Sequence, residues 1–341
     1  MDAGLLKDDV HFAGGCTPCH GGDDTQTDKD LAHRGKVKRP SEDLSLCGKC
    51  HGATAARYSK ALHYTTAGFR HVVTKRMNHK EARDYNERVF EQSCRSCHAT
   101  CGSCHVKAPA VGGISIGLIK GHRFVRRDEG KTCAFCHGGR VYPEYTGDYG
   151  GKADVHYQKG MMCMDCHSAG ALHGDGRAYR FKEEVKGRPS CRDCHRPGNE
   201  ERLTTRIAHL RHEGKVSCYG CHSAGEYRHC FECHEGGAQS KADFVLGLSP
   251  KNNRTVTTLR LVPTVRDSFK KQGVTMTHYD RLPNYWDAPV HNIRKRTDRT
   301  RSCEACHEEK RGFIVKERLI KNGSRSNAGV LYEPRPIPAK P

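Results

Sequence analysis

Apolar positions along this chain fall in short, broken runs rather than in long periodic faces. Thirty-six glycines and fourteen prolines interrupt the pattern, and such punctuation favours short elements joined by turns. Two stretches predict short helices, Ser45–Ala61 and Lys80–Cys94, the second reading EARDYNERVFEQSC after its lysine. Thr255–Val265 (TVTTLRLVPTV) alternates and is β-branched, so it predicts a hairpin or two-stranded ribbon. No run of 18 or more apolar residues occurs, so no transmembrane segment is expected. The expected fold is mostly irregular and α, with a few short helices, little regular secondary structure and a small β element near the C-terminus. From about Asn322 the chain reads as an extended tail that frays or docks on a partner.

Composition then raises a difficulty. Only 35% of the 341 residues are hydrophobic and there is one tryptophan, a thin supply of core. The cysteines offer an answer. All twenty fall in ten Cys-x-x-Cys-His motifs, and none is left over. The motifs are Cys16, Cys19 and His20; Cys47, Cys50 and His51; Cys94, Cys97 and His98; Cys101, Cys104 and His105; Cys133, Cys136 and His137; Cys163, Cys166 and His167; Cys191, Cys194 and His195; Cys218, Cys221 and His222; Cys230, Cys233 and His234; and Cys303, Cys306 and His307. C-x-x-C-H is the attachment signature of c-type haem. The thiols become thioethers to the porphyrin and the histidine becomes the proximal iron ligand. Zinc sites and disulfide scaffolds also use Cys-x-x-Cys, but neither needs a histidine after every second cysteine. Ten covalently attached haems c are expected, and the apolar macrocycles would themselves serve as core.

The haem count changes the meaning of the charge. A net charge of +19 would otherwise indicate a nucleic-acid or membrane binder. Two propionates on each haem would bring roughly twenty negative charges, which the Lys/Arg excess can pair, arginine bidentately. Nucleic acid is therefore not an expected partner. The opening Met1-Asp2-Ala3 lacks a basic segment and an apolar segment of the signal-peptide kind. Haem c is attached after export, so the chain is expected to be a mature form that works in the periplasm or outside the cell.

Motif starts are separated by 31, 47, 7, 32, 30, 28, 27, 12 and 73 residues, an irregular array and not a solenoid. The short intervals predict two close haem pairs, one over 94–105 and one over 218–234. The organisation expected is a nine-haem array over 1–235, a β-containing segment over 236–307 that closes on the tenth haem, and a C-terminal extension over 308–341.

Ten sixth ligands are then needed, and thirteen histidines remain outside the motifs. His229 is cramped against Cys230, and His71 and His79 lie in a basic stretch. Setting these aside leaves His11, His33, His63, His122, His156, His173, His209, His212, His278 and His291 as the expected distal ligands. Six methionines are too few for general His/Met ligation, and Met161, Met162 and Met164 are expected to pack against haem. Bis-histidine ligation implies lower potentials than Met/His.

Beyond the motifs, Ser59–Thr65 (SKALHYT), Cys94–Val106, Gly121–Phe124 (GHRF), Asp154–His173 and Leu282–Ile293 (LPNYWDAPVHNI) resemble a widespread group of exported multihaem cytochromes. Over nearly its whole length the chain resembles the multihaem c-type cytochrome superfamily. The resemblance implies respiratory electron transfer, often toward extracellular acceptors, and distal roles for His63, His122, His156, His173 and His291. His209-x-x-His212 resembles the paired distal histidines of small multihaem cytochromes, where each serves a different haem.

Three functions are consistent with these features. The preferred one is an electron conduit, with no catalytic residue, that exchanges electrons with other redox proteins (cytochromes, quinol-linked reductases) or extracellular acceptors. Its docking points would be the His11–His20 and Cys303–His307 regions. One form of it is a homopolymer filament, with a terminal histidine such as His11 serving the next subunit. The alternative is a reductase or oxidase of a small nitrogen or sulfur compound, which needs one open-site haem. Tyr142–Tyr157 would then be a pocket, or more plainly a loop packed on haem. A storage role is unattractive because covalent haem is not released.

Overall fold

The computed structural model describes residues 9–107, 110–111, 114–115, 122–126, 129–148, 151–227, 242–262 and 265–337. The expected pattern of short helices and small antiparallel sheets is what these residues form. Among them only Leu44–Tyr58 and Leu203–His212 are α-helices longer than eight residues. The first starts at Asp43, whose carboxylate accepts the Ser45 N–H at 2.8 Å. It kinks at His51, where φ is −107° and ψ is 37°. The second expected helix is real but broken. Asn78 and Glu81 form a capping box at the start of His79–Tyr85. A π turn follows over Asn86–Phe90, and Cys94–Cys97 is 3₁₀. The extra residue in the π turn keeps Val89 and Phe90 on the buried side with Tyr85.

The β-branched stretch is the centre of a three-stranded antiparallel sheet, one strand more than the sequence predicts. Val256–Leu261 pairs with Val245–Leu248 on one side and Tyr285–Asp287 on the other. Among the described residues there are also three two-stranded ladders: Val106–Lys107 with Arg123–Phe124, Ala110–Val111 with Ile114–Ser115, and Glu226–Tyr227 with Ala242–Asp243.

The chain divides into two compact units. One comprises 1–68, 97–133 and 168–187, the other 69–96, 134–167 and 188–341. Their interiors differ sharply. In the first unit the buried apolar residues, among those described, are Tyr58 and Ala61. The second holds four apolar clusters. One joins Met77, Tyr85, Val89 and Phe90 to Val274, Met276 and Tyr279. Another joins Leu259 and Tyr285 of the sheet to Ile314 and Val330.

That last cluster corrects the picture of a loose tail. Over 308–337 the chain packs back on its own sheet. Leu246 N–H donates to Gly312 O at 2.7 Å, and Ile314 N–H donates to Leu246 O at 2.9 Å. Val330 is 1% exposed. The apolar residues Ile314 and Val330 cover the sheet's core face, which a frayed tail would leave wet.

Candidate metal centres

Most described motifs set their histidine at or just past the end of a short turn or helix, whereas His51 sits inside the longer helix Leu44–Tyr58, at its kink. Short α-helices run over Thr17–His20, Cys101–His105, Cys163–Cys166, Cys218–His222 and Glu304–His307, and the turn over Cys191–Asp193 is 3₁₀. Side-chain caps fix several of them. Thr100 caps Cys101–His105, Ser190 caps Cys191–Asp193 and Ser217 caps Cys218–His222. The described cysteines form no disulfide. Thiols of different motifs stand side by side, Cys47 by Cys101 and Cys191 by Cys218.

Fourteen of the described histidines stand in seven pairs. In the first unit His11 faces His51 with ring centres 6.2 Å apart, His20 faces His122 at 6.1 Å, and His105 faces His173 at 6.0 Å. In the second unit His195 faces His156 at 6.0 Å and His167 faces His291 at 6.5 Å. There, too, His222 faces His209 at 6.2 Å and His307 faces His212 at 6.0 Å. Every pair joins one motif histidine to one histidine outside the motifs. The distance is too long for stacking contact and suits a metal between the rings. Metal–imidazole bonds of about 2 Å, plus roughly 1.1 Å from nitrogen to ring centre on each side, put trans imidazoles about 6.2 Å apart.

Hydrogen bonds fix the orientation of several rings. The Nδ1 of His20 bonds Val37 O at 2.9 Å, that of His105 bonds Val125 O at 2.8 Å, and that of His222 bonds Arg294 O at 2.9 Å. His212 Nδ1 bonds Ala208 O at 2.7 Å, His307 bonds Arg335 O, and His98 bonds Tyr64 O. A carbonyl oxygen only accepts, so each Nδ1 carries the hydrogen and Nε2 keeps its lone pair. That is the tautomer of a metal ligand held by its second nitrogen. Burial also holds His122, His167 and His173 below the ordinary imidazole range, which favours the neutral, ligating form. Among the described residues no group of three or more His, Cys, Asp or Glu converges as a zinc centre requires.

The remaining expected ligands stand differently. His33 is exposed, with its Nδ1 on Lys29 O at 2.7 Å, and among the described residues no other histidine ring contacts it. His278 is half-buried, among the described residues no other histidine ring contacts it, and its backbone N–H donates to Arg76 O. His98 packs its ring on Tyr64 at 4.5 Å. His63 gives its backbone carbonyl to Ala99. Cys230, Cys233, His234 and His229 lie outside the described residues, and so does the second motif of the close pair expected over 218–234. In the tyrosine-rich stretch, Tyr145 donates to Met161 O at 2.8 Å and its ring meets Tyr157 at 5.4 Å. This segment packs on itself and on 291–293.

Four polar groups near the pairs carry no signal in the motif pattern. Asp9, Asp154 and Glu200 face the Nδ1 atoms of His11, His156 and His209. For two of them a signal exists in retrospect: Asp-x-His lets one carboxylate accept both the backbone N–H and the ring of the histidine two residues on. The fourth is Arg294, whose two terminal nitrogens are buried with no hydrogen-bond partner among the described residues. A guanidinium so placed fits an acid group of a bound cofactor, such as a propionate. Glu144 is buried against Arg140 and receives the His291 N–H. Burial pushes its pKa up to about 7, against the pull of Arg140.

Comparison with protein-family models, curated proteins and solved structures finds no match.

Proposed function

We propose that this chain is a multihaem c-type cytochrome that carries electrons through closely spaced bis-histidine haems. One observation supports the reading above all: seven histidine pairs at metal-bridging distance, each combining a Cys-x-x-Cys-His histidine with one from elsewhere in the chain. Bound at such sites, haem supplies one-electron redox chemistry. The seven histidine pairs would each hold an iron by two imidazoles and leave no coordination position there for a substrate. Neighbouring motifs, as at Cys47 and Cys101 or Cys191 and Cys218, keep attachment points close enough for electrons to hop. The lysines and arginines pair propionates. The partners would be other redox proteins or extracellular acceptors, and the setting the periplasm or the cell exterior.

The test is to count covalent haem per chain by pyridine haemochrome and mass, then record the low-temperature EPR spectrum of the oxidised protein. Ten haems and low-spin signals are expected. Twenty titratable thiols and no iron would overturn the proposal. A stoichiometric high-spin signal would replace the conduit with a reductase that has an open site.

A further inference from the structure

We propose that three carboxylates, those of Asp9, Asp154 and Glu200, are positioning residues that divide the iron sites by reduction potential. The sites faced by His11, His156 and His209 are set lower than the site between His212 and His307. The inference rests on the haem reading above.

The distinction lies in what each Nδ1 meets. Asp9 Oδ1 stands 2.6 Å from His11 Nδ1 and Asp154 Oδ1 stands 2.9 Å from His156 Nδ1, while the Glu200 carboxylate lies against His209 Nδ1 without an aligned hydrogen bond. His212 and His307 both donate to neutral backbone carbonyls instead. A carboxylate draws the Nδ1 proton harder than a carbonyl does, in a charge-assisted bond. The imidazole then gives more electron density through Nε2. Ferric iron carries one more positive charge than ferrous iron, so the stronger donor favours the oxidised state and the site accepts its electron at lower potential. Reduction here adds one electron and moves no proton.

A single helix displays the contrast. His209 and His212 lie three residues apart on Leu203–His212. His209 is backed by Glu200, while His212 is backed by Ala208 O of its own helix at 2.7 Å. Their motif partners are His222 and His307, and Cys221 and Cys306 of those two motifs are electrostatic neighbours. An electron shared by the two sites therefore favours the His212/His307 site.

Burial ranks the three. The Asp154 side chain is 2% exposed, against 27% for Asp9 and 26% for Glu200. Charge interactions are least screened away from water. The second oxygen of Asp154 also accepts Ile293 N–H at 2.6 Å, so the carboxylate cannot turn away from His156. The site between His156 and His195 is accordingly the lowest of the three.

The experiment uses the full-length, haem-loaded protein and the variants Asp154→Asn, Glu200→Gln and Glu200→Asp. Haem per chain is counted first. Anaerobic potentiometric titrations are then followed by visible absorption. Asp154→Asn is expected to displace one haem equivalent upward by at least about tenfold in its reduction constant, or 59 mV for one electron. Glu200→Gln should displace one equivalent by less, and Glu200→Asp should stay near the wild-type curve. If Asp154→Asn loses haem, the more exposed Glu200 pair of variants decides. A wild-type chain without covalent haem overturns the functional reading, and this inference with it. A fully loaded wild type whose curve superimposes on those of Asp154→Asn and Glu200→Gln overturns this inference alone.

Discussion

Glu81 offers the most direct test of how the peptide framework is held. Its carboxylate accepts the Asn78 N–H at 2.9 Å, the Thr275 hydroxyl at 2.6 Å, and both the N–H and the hydroxyl of Thr277. One charge thus caps His79–Tyr85 and ties it to residues 275–277. Burial raises its pKa, and the hydrogen bonds from Thr275, Thr277 and Asn78 outweigh that, taking it from 4.5 to about 2. At about 1.4 kcal/mol per unit, the full shift corresponds to roughly 3 kcal/mol of stability at neutral pH. Glu81 is itself only 8% exposed but lies in a shallow part of the protein, so screening reduces this to about 2 kcal/mol. The sign follows from a depressed folded-state pKa. The stabilisation is complete above pH 4.5 and is lost as pH falls toward 2. Glu81→Gln keeps the shape and removes the charge. Guanidinium denaturation of the haem-loaded protein, followed by far-ultraviolet circular dichroism, should show the variant less stable by about 2 kcal/mol at pH 7 and by only about 1 kcal/mol at pH 3. A gap that does not narrow with acid would refute the argument.

Three further outcomes are expected. Arg76 is 1% exposed and donates to the carbonyls of Tyr279, Leu282 and Pro283; Arg76→Lys cannot span the three and should cost about 2–4 kcal/mol in the same assay. A Cβ on Gly247 would stand 2.4 Å from Val330 O and 2.8 Å from Leu259 Cδ1. Gly247→Ala should therefore cost about 1–3 kcal/mol and speed protease cleavage within 308–337. Replacing Cys303 and Cys306 together by serine should lower the intact mass by one haem and leave the count from the other motifs unchanged.

The two kinds of information in the chain were legible to different degrees. The ten motifs and the expected distal set need only residue identity and spacing. Seven members of that set, from His11 to His291, stand opposite motif histidines. The hydrophobic pattern read the elements less completely. It announces the strand at Val256–Leu261, whose residues alternate, but not its partners: Val245–Leu248 is four residues long and Tyr285–Asp287 three. The same pattern leaves 308–337 looking like a tail. Its two anchors, Ile314 and Val330, are isolated apolar residues whose burial depends on a sheet distant in sequence. The carboxylates behind His11, His156 and His209 were missed for a related reason. A single acidic residue near a histidine is common, and only geometry shows that its oxygen meets Nδ1.

The unequal interiors of the two units bind the site to the fold. Ordering one residue costs about 1–2 kcal/mol, and burying one large apolar side chain returns about 1.5–3 kcal/mol. The second unit has four apolar clusters to set against that cost. The first has Tyr58 and Ala61 as its buried apolar residues among those described, and these cannot order a unit assembled from three separate segments. It does have three histidine pairs, His11 with His51, His20 with His122 and His105 with His173. The His11/His51 pair draws both its members from 1–68. The other two tie that segment or 168–187 to 97–133, which is where a core would otherwise have to act. Under the proposed function, a macrocycle between each pair supplies both the missing apolar surface and the cross-link between segments. Attaching haem and folding the first unit are then one event. Limited proteolysis of protein made without haem attachment should cut throughout 9–68 and 168–187 before it reaches the strands at 245–261. Equal resistance in the two units would show that the peptide closes the first unit by itself.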